Sequence, residues 1–272
     1  MDLDGKVALV LGAIKGIGEG IGLALAREGV KVALNYYDWE ESLEPMKRHF
    51  DQAGADTLVL RTNLMETDEV PALVDSVVAK YGRIDILINN IERGGWPVVH
   101  GPYVRDQWDL EMATTLRAKW WVYQAALPHL KASGDGVIVN ISSIAGCIGR
   151  SGPAGRVFND GYAAANRAVS AFTEAWAREG APEVRVNELM LGFFETRHGP
   201  QTRGWGLLTE DQRQEIIDHT LMGRMGNVED VAKSVLFILR DAPFMTGSVI
   251  RLDGGYLLGG EFVEAIPEGV ID

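Results

Sequence analysis

The sequence predicts an α/β fold: one doubly wound domain with about seven parallel strands and helices on both faces. Three observations predict it. Apolar runs of strand length alternate with amphipathic helical stretches along the whole chain, which is the pattern of a parallel sheet with right-handed crossovers. A glycine-rich turn joins the first such run to the first helix. No repeat, low-complexity tract or linker divides the 272 residues, a length that suits one domain with a full core.

The elements follow in order. Lys6–Leu11 reads as the first strand and Gly18–Arg27 as the first helix. Val32–Asn35 is the second strand, with a helix near Trp39–Gln52, and Thr57–Arg61 the third, with a helix over Glu69–Lys80. Ile84–Asn89 is the fourth, followed by one long helix over Arg105–Leu130. Val137–Ile141 leads through a Gly-rich loop to a helix entered at Tyr162, and Val184–Glu188 and Ser248–Leu252 complete the set.

Composition narrows the function. With 26 basic and 38 acidic residues the net charge is −12, which argues against nucleic acid or an anionic membrane as partner. One cysteine, Cys147, forms no intrachain disulfide framework and fits a reducing cytoplasm. The acidic start and short apolar run of MDLDGKVALVLGA are unlike a signal peptide, and no apolar stretch reaches the roughly 18 residues of a membrane span. No metal site is expected, because His198 has no second ligand at suitable spacing.

In a doubly wound sheet, ligands bind beyond the carboxyl ends of the strands. After the first strand come Gly12, Lys15, Gly16, Ile17 and Gly18, a spacing that lets backbone amides at a helix start approach a pyrophosphate. The fifth strand ends in Ser142-Ser143, and Tyr162 stands on the next helix. Such a pair of hydroxyls suits proton transfer at a carbonyl.

These motifs resemble the short-chain dehydrogenase/reductase family over about the whole chain, with the closest likeness to oxoacyl reductases. The resemblance implies a Rossmann-type domain over residues 1–255 with a substrate lid about 193–220; the tail over 256–272 is apolar enough to pack across a neighbouring subunit, with a frayed end as the alternative. It implies NAD or NADP as cofactor, contacted by Gly12, Lys15, Gly16, Ile17, Gly18, Tyr36, Asn63, Leu64, Asn90, Tyr162, Asn166 and Thr196. Lys15 would attract a 2′-phosphate and Asp38 would repel it, so the choice between the two stays open. Ser143 and Tyr162 are the implied catalytic pair.

Four departures set this chain apart. The family's Tyr-x-x-x-Lys has Asn166 at the Lys position, which removes the ammonium that lowers the phenol pKa and meets the nicotinamide ribose. The family's helix Asn is Thr115 by register. The family's Asn-Asn-Ala-Gly is Asn89-Asn90-Ile91-Glu92, and Glu92 reads as a solvated loop carboxylate. Leu11 replaces a Thr before the first Gly. Lys119, one turn beyond Thr115, reads as a surface or interface residue, and Trp120, Trp121 and Tyr123 as packing against a core or partner helix. Arg150, Arg156, Arg197 and Arg203, with His198 and Trp205, suit an anionic ligand such as an acyl thioester.

The expectation is a catalytically degenerate subunit of a hetero-oligomeric NAD(P)-dependent hydroxyacyl/oxoacyl-thioester dehydrogenase, its own cofactor binding weakened or lost. A homo- or hetero-tetramer is implied. Two alternatives stand beside it: an active NAD(P)-dependent alcohol dehydrogenase or ketone reductase using Ser143 and Tyr162, and a non-redox enzyme on the same scaffold.

Overall fold

The computed structural model describes residues 1–92, 105–196, 205–261 and 263–264. Seven strands form one parallel sheet in the order β3-β2-β1-β4-β5-β6-β7. They are β1 (Val7–Val10), β2 (Lys31–Tyr36), β3 (Thr57–Arg61), β4 (Ile86–Asn89), β5 (Gly136–Ser143), β6 (Val184–Leu191) and β7 (Val249–Leu252). The described helices are α1 (Gly16–Arg27), α2 (Leu43–Gln52), α3 (Val70–Tyr81), α4 (Arg105–Glu111), α5 (Ala118–Ala132), α6 (Ala145–Ile148), α7 (Asp160–Gly180), α8 (Glu210–His219) and α9 (Val228–Leu236).

The two-residue period of β1 explains why helices cover both faces. Ala8 and Val10 point into a core with Ile21 and Leu25 of α1, Phe50 of α2 and Val231 of α9. Val7 and Leu9 point the other way, into a core with Val77 of α3, Val122 and Ala126 of α5 and Trp176 of α7. Strand order reverses between β1 and β4, and the crevice there collects the carboxyl ends of β1, β4 and β5.

Three elements depart from the sequence reading. The long helix is interrupted: a π-turn over Met112–Arg117 separates α4 from α5 and carries Thr115. The second helix starts late, because Trp39 adopts a left-handed φ of 65° and a 3-10 turn over Glu40–Ser42 precedes α2. Strand β5 continues through Ser143, paired with Leu191 of β6, so both serines belong to the sheet.

Residue 256 opens a 3-10 turn, Tyr256–Leu258. Its phenol accepts from the Ala154 amide at 2.8 Å, and burial pushes the Tyr256 pKa up to about 12. The start of the predicted tail therefore packs on its own chain, and residues 265–272 lie outside the described residues. Among the described residues no helix is long and apolar enough to cross a membrane.

Candidate active site

Asn159 organises the helix that carries the site. Its side chain caps α7 by accepting from the Tyr162 amide at 2.8 Å, and its Nδ2 donates to buried Glu111 of α4 at 2.6 Å. Such a cap contributes about 1 kcal/mol. The i, i+4 spacing then sets Tyr162 and Asn166 on one face, both buried.

Asn166 is fully engaged. Its Oδ1 accepts from the Ser143 amide at 2.9 Å. Its Nδ2 donates to the Tyr162 carbonyl at 3.0 Å and to Glu92 Oε1 at 3.2 Å. One amide thus ties the end of β4 to the Ser143 backbone at the end of β5 and the Tyr162 backbone in the first turn of α7. The Ser143 hydroxyl oxygen accepts from the Ala145 amide at 3.1 Å, and Gly146 lets α6 pass against the Asn166–Arg167 backbone.

This geometry corrects two expectations. Glu92 is not a solvated loop carboxylate: it is partly buried and turned inward onto Asn166. Lys119 is not a surface or interface residue: it is 0% exposed, and its ammonium donates to the Ile141 carbonyl at 2.6 Å. Around it lie further buried groups that the sequence reading passed over. Glu188 of β6 accepts from Ser142 and, at 3.1 Å, from Ser170, and Asn89 donates to Asn140, which donates to Thr173. One signal was available, since Glu188 lies inside a strand otherwise flanked by buried residues on both sides.

Burial sets the electrostatics of this floor. Loss of solvation pushes the Lys119 ammonium down to about 8, against the opposing fields of Glu92 and Glu188. Loss of solvation also raises the Glu188 carboxyl, offset by its serine hydrogen bonds and by Lys119.

Because the folded value of Lys119 lies below its ordinary 10.5, the unfolded chain binds more protons between the two values. Stability contributed by this group therefore rises as pH increases from about 8 to 10.5. Urea denaturation across that range is expected to show the rise in the native chain and lose it in Lys119→Met; an unchanged rise in the variant would place its source elsewhere.

Thr115 is buried in the π-turn, and its hydroxyl has no hydrogen-bond partner among the described residues. It offers one hydroxyl where the resemblance expects an amide.

The nucleotide end of the crevice is built from the predicted residues. Asn90 Nδ2 donates to the Gly12 carbonyl at 3.2 Å. A Cβ on Gly12 would collide with the Asn90 carbonyl, and one on Gly18 would lie 2.6 Å from Asn90 Nδ2 and collide with the Gly12 carbonyl. Gly16 needs its φ of +61°, and the space beside it stays open up to Thr196, 3.7 Å away. Ile17 is packed against the core. The Lys15 ammonium sits 3.0 Å over the Trp39 ring. Tyr36 ends β2, Asn63 Oδ1 accepts from the Met65 amide at 3.2 Å, and Leu64 is core. The turn has the shape a pyrophosphate needs. At the other end a carboxylate and an amide stand where the resemblance expects small residues and an ammonium.

The loop arginines are committed within the chain. Arg150 pairs with Asp160 at 2.8 Å and Arg156 pairs with Glu215, both at the surface. Arg197, His198 and Arg203 lie outside the described residues. Trp205 is buried against Phe193, and Phe158 packs between Tyr162 and Phe193 at ring distances of 5.7 and 5.4 Å. Tyr123 is core, its ring stacked on Trp176 and its hydroxyl donated to Glu179, whereas Trp120 and Trp121 are exposed. Among the described residues no group of His, Cys, Asp and Glu could hold a metal.

The sheet order, the glycine turn and the Ser143–Asn166–Tyr162 floor define a Rossmann-type scaffold of dehydrogenase design. A family model described as enoyl-(acyl carrier protein) reductase matches residues 12–257. The 3-oxoacyl-[acyl-carrier-protein] reductase FabG of Thermotoga maritima is 34% identical over 264 residues, covering 95% of this chain and 100% of that protein. A putative ketoacyl reductase 2 of the granaticin polyketide synthase of Streptomyces violaceoruber is 35% identical, covering 93% and 96%. The structure of a putative short-chain alcohol dehydrogenase from Sinorhizobium meliloti 1021 superposes with a TM-score of 0.83 at 28% identity, covering 95% and 98%. The chain belongs to the short-chain dehydrogenase/reductase family of oxidoreductases.

Proposed function

We propose that this chain is a catalytically degenerate subunit of a cytoplasmic, hetero-oligomeric NAD(P)-dependent hydroxyacyl/oxoacyl-thioester dehydrogenase. One observation carries the reading: the residue at the ammonium position, Asn166, is an amide already bonded to Ser143, Tyr162 and the Glu92 carboxylate. The side chain at position 166 therefore supplies no charge to lower the phenol pKa, and a carboxylate has been brought onto it. General acid–base help of this kind is worth roughly 10²–10⁴-fold in rate. The acyl-thioester substrate class follows from the names of the ketoacyl and oxoacyl reductases this chain resembles.

Its place in a tetramer, with copies of itself or with another subunit of the family, is supported by the face of α4, the π-turn and α5. Trp108, Trp120 and Trp121 are exposed there, beside a hollow lined by Leu110, Leu116 and Phe172, and apolar patches of this kind mark contact surfaces.

The active alternative, with Ser143 and Tyr162 at work, is favoured by one observation, the buried ammonium of Lys119. Its charge is answered by Glu92 and Glu188, so the degenerate reading is preferred. The test is genetic and enzymatic. The tagged chain is expected to co-purify with a second family member as a complex that reduces a 3-oxoacyl thioester with NAD(P)H. Replacing Tyr162 by Phe in this chain alone should change that rate less than about twofold; a fall on the order of 100-fold would assign the chemistry to this subunit.

A further inference from the structure

The Glu92 carboxylate is the group in the crevice that the scaffold does not require. It sits just past the end of β4, beside the glycine turn, and is drawn onto the Asn166 amide at 3.2 Å. Asn166 is held in turn by the Ser143 amide and the Tyr162 carbonyl, so its Nδ2 presents a fixed donor to the carboxylate. In the family pattern this is where the side chain at position 166 reaches the ribose next to the nicotinamide.

We infer that Glu92 determines which nucleotide this pocket accepts, because its carboxylate, docked on Asn166, fills the ribose position at the nicotinamide end and excludes the full dinucleotide. The inference rests on the degenerate reading and names the residue that keeps the site closed to its cofactor. The carboxylate occupies the hydrogen-bonding position that the ribose hydroxyls at the nicotinamide end would need, and ADP lacks that ribose. The buried ammonium of Lys119 is part of the same floor, and its attraction to Glu92 favours the inward position.

The test is a calorimetric titration of the full chain with NADH, and with ADP as a probe that lacks the nicotinamide ribose. Glu92→Gly is expected to bind NADH on the order of 10- to 100-fold more tightly than the native chain, while ADP affinity stays within about twofold. Glu92→Gln keeps the size and a polar tip but loses the charge, and is expected to fall between the two. Equal NADH affinity in native and Glu92→Gly proteins, or no NADH binding by either, would overturn the inference. A parallel gain for NADH and ADP would also overturn it, because the effect would then be general electrostatics rather than selection at the nicotinamide end. Turnover of substrate by the native chain alone is a separate outcome, which would sink the degenerate reading and is read independently of the titrations.

Discussion

Asn166→Lys together with Glu92→Gly is expected to raise kcat/KM for NADPH-dependent reduction of a 3-oxoacyl thioester by about 10²-fold or more over the native chain. Each change alone should give less than about tenfold. The reason lies in the shared hydrogen bond between the two side chains. A lysine at 166 facing Glu92 would spend its ammonium on that carboxylate instead of on the Tyr162 phenol. It would also remove Oδ1, the acceptor of the buried Ser143 amide, and an orphaned buried donor costs about 1–3 kcal/mol. Removing Glu92 alone clears the ribose position but leaves a neutral amide at position 166. Steady-state kinetics of the four proteins give the answer as a cycle. A double variant no faster than the native chain would mean that the defect lies elsewhere, with Thr115 the next place to look.

Gly18→Ala is expected to destabilise the chain by about 3 kcal/mol in urea denaturation, the overpacking range, with no nucleotide present. Its Cβ would press on the Gly12 carbonyl and on Asn90 Nδ2, which already donates to that carbonyl. Gly16→Ala, where the added methyl makes ordinary contact with Thr196 at 3.7 Å but the backbone keeps φ at +61°, should cost only about 1–2 kcal/mol. The contrast gives the glycine motif a structural reason that does not depend on a bound dinucleotide. Gly12 and Gly18 are required by packing between the turn and the end of β4, so the motif persists whether or not a dinucleotide binds. A Gly18→Ala protein as stable as the native one would contradict that account.

The fold was legible because its signals are local. Each strand is a short apolar run, and the glycines and the Ser143–Tyr162 pair stand at fixed places relative to those runs. What could not be read depends on partners far away in sequence. Glu92 looks like a loop carboxylate until Asn166, 74 positions on, captures it. Lys119 sits beside Trp120 and Trp121, which look like the buried residues of that helix, yet the tryptophans are exposed and the lysine is core. The π-turn that interrupts the helix inserts where Thr115 meets the site, and no periodicity of α4 or α5 announces it. Arg150 and Arg156 looked available to a ligand because Asp160 and Glu215 are identified as their partners only in the folded chain.

The most direct measurement is the oxidation of NADH and of NADPH by the isolated, purified chain presented with a 3-oxoacyl thioester. With an amide at position 166 and a carboxylate docked on it, no turnover above the uncatalysed background is expected with either nucleotide. Sustained oxidation that disappears in Tyr162→Phe would contradict the account, and would show that the phenol finds its proton relay without a lysine at 166.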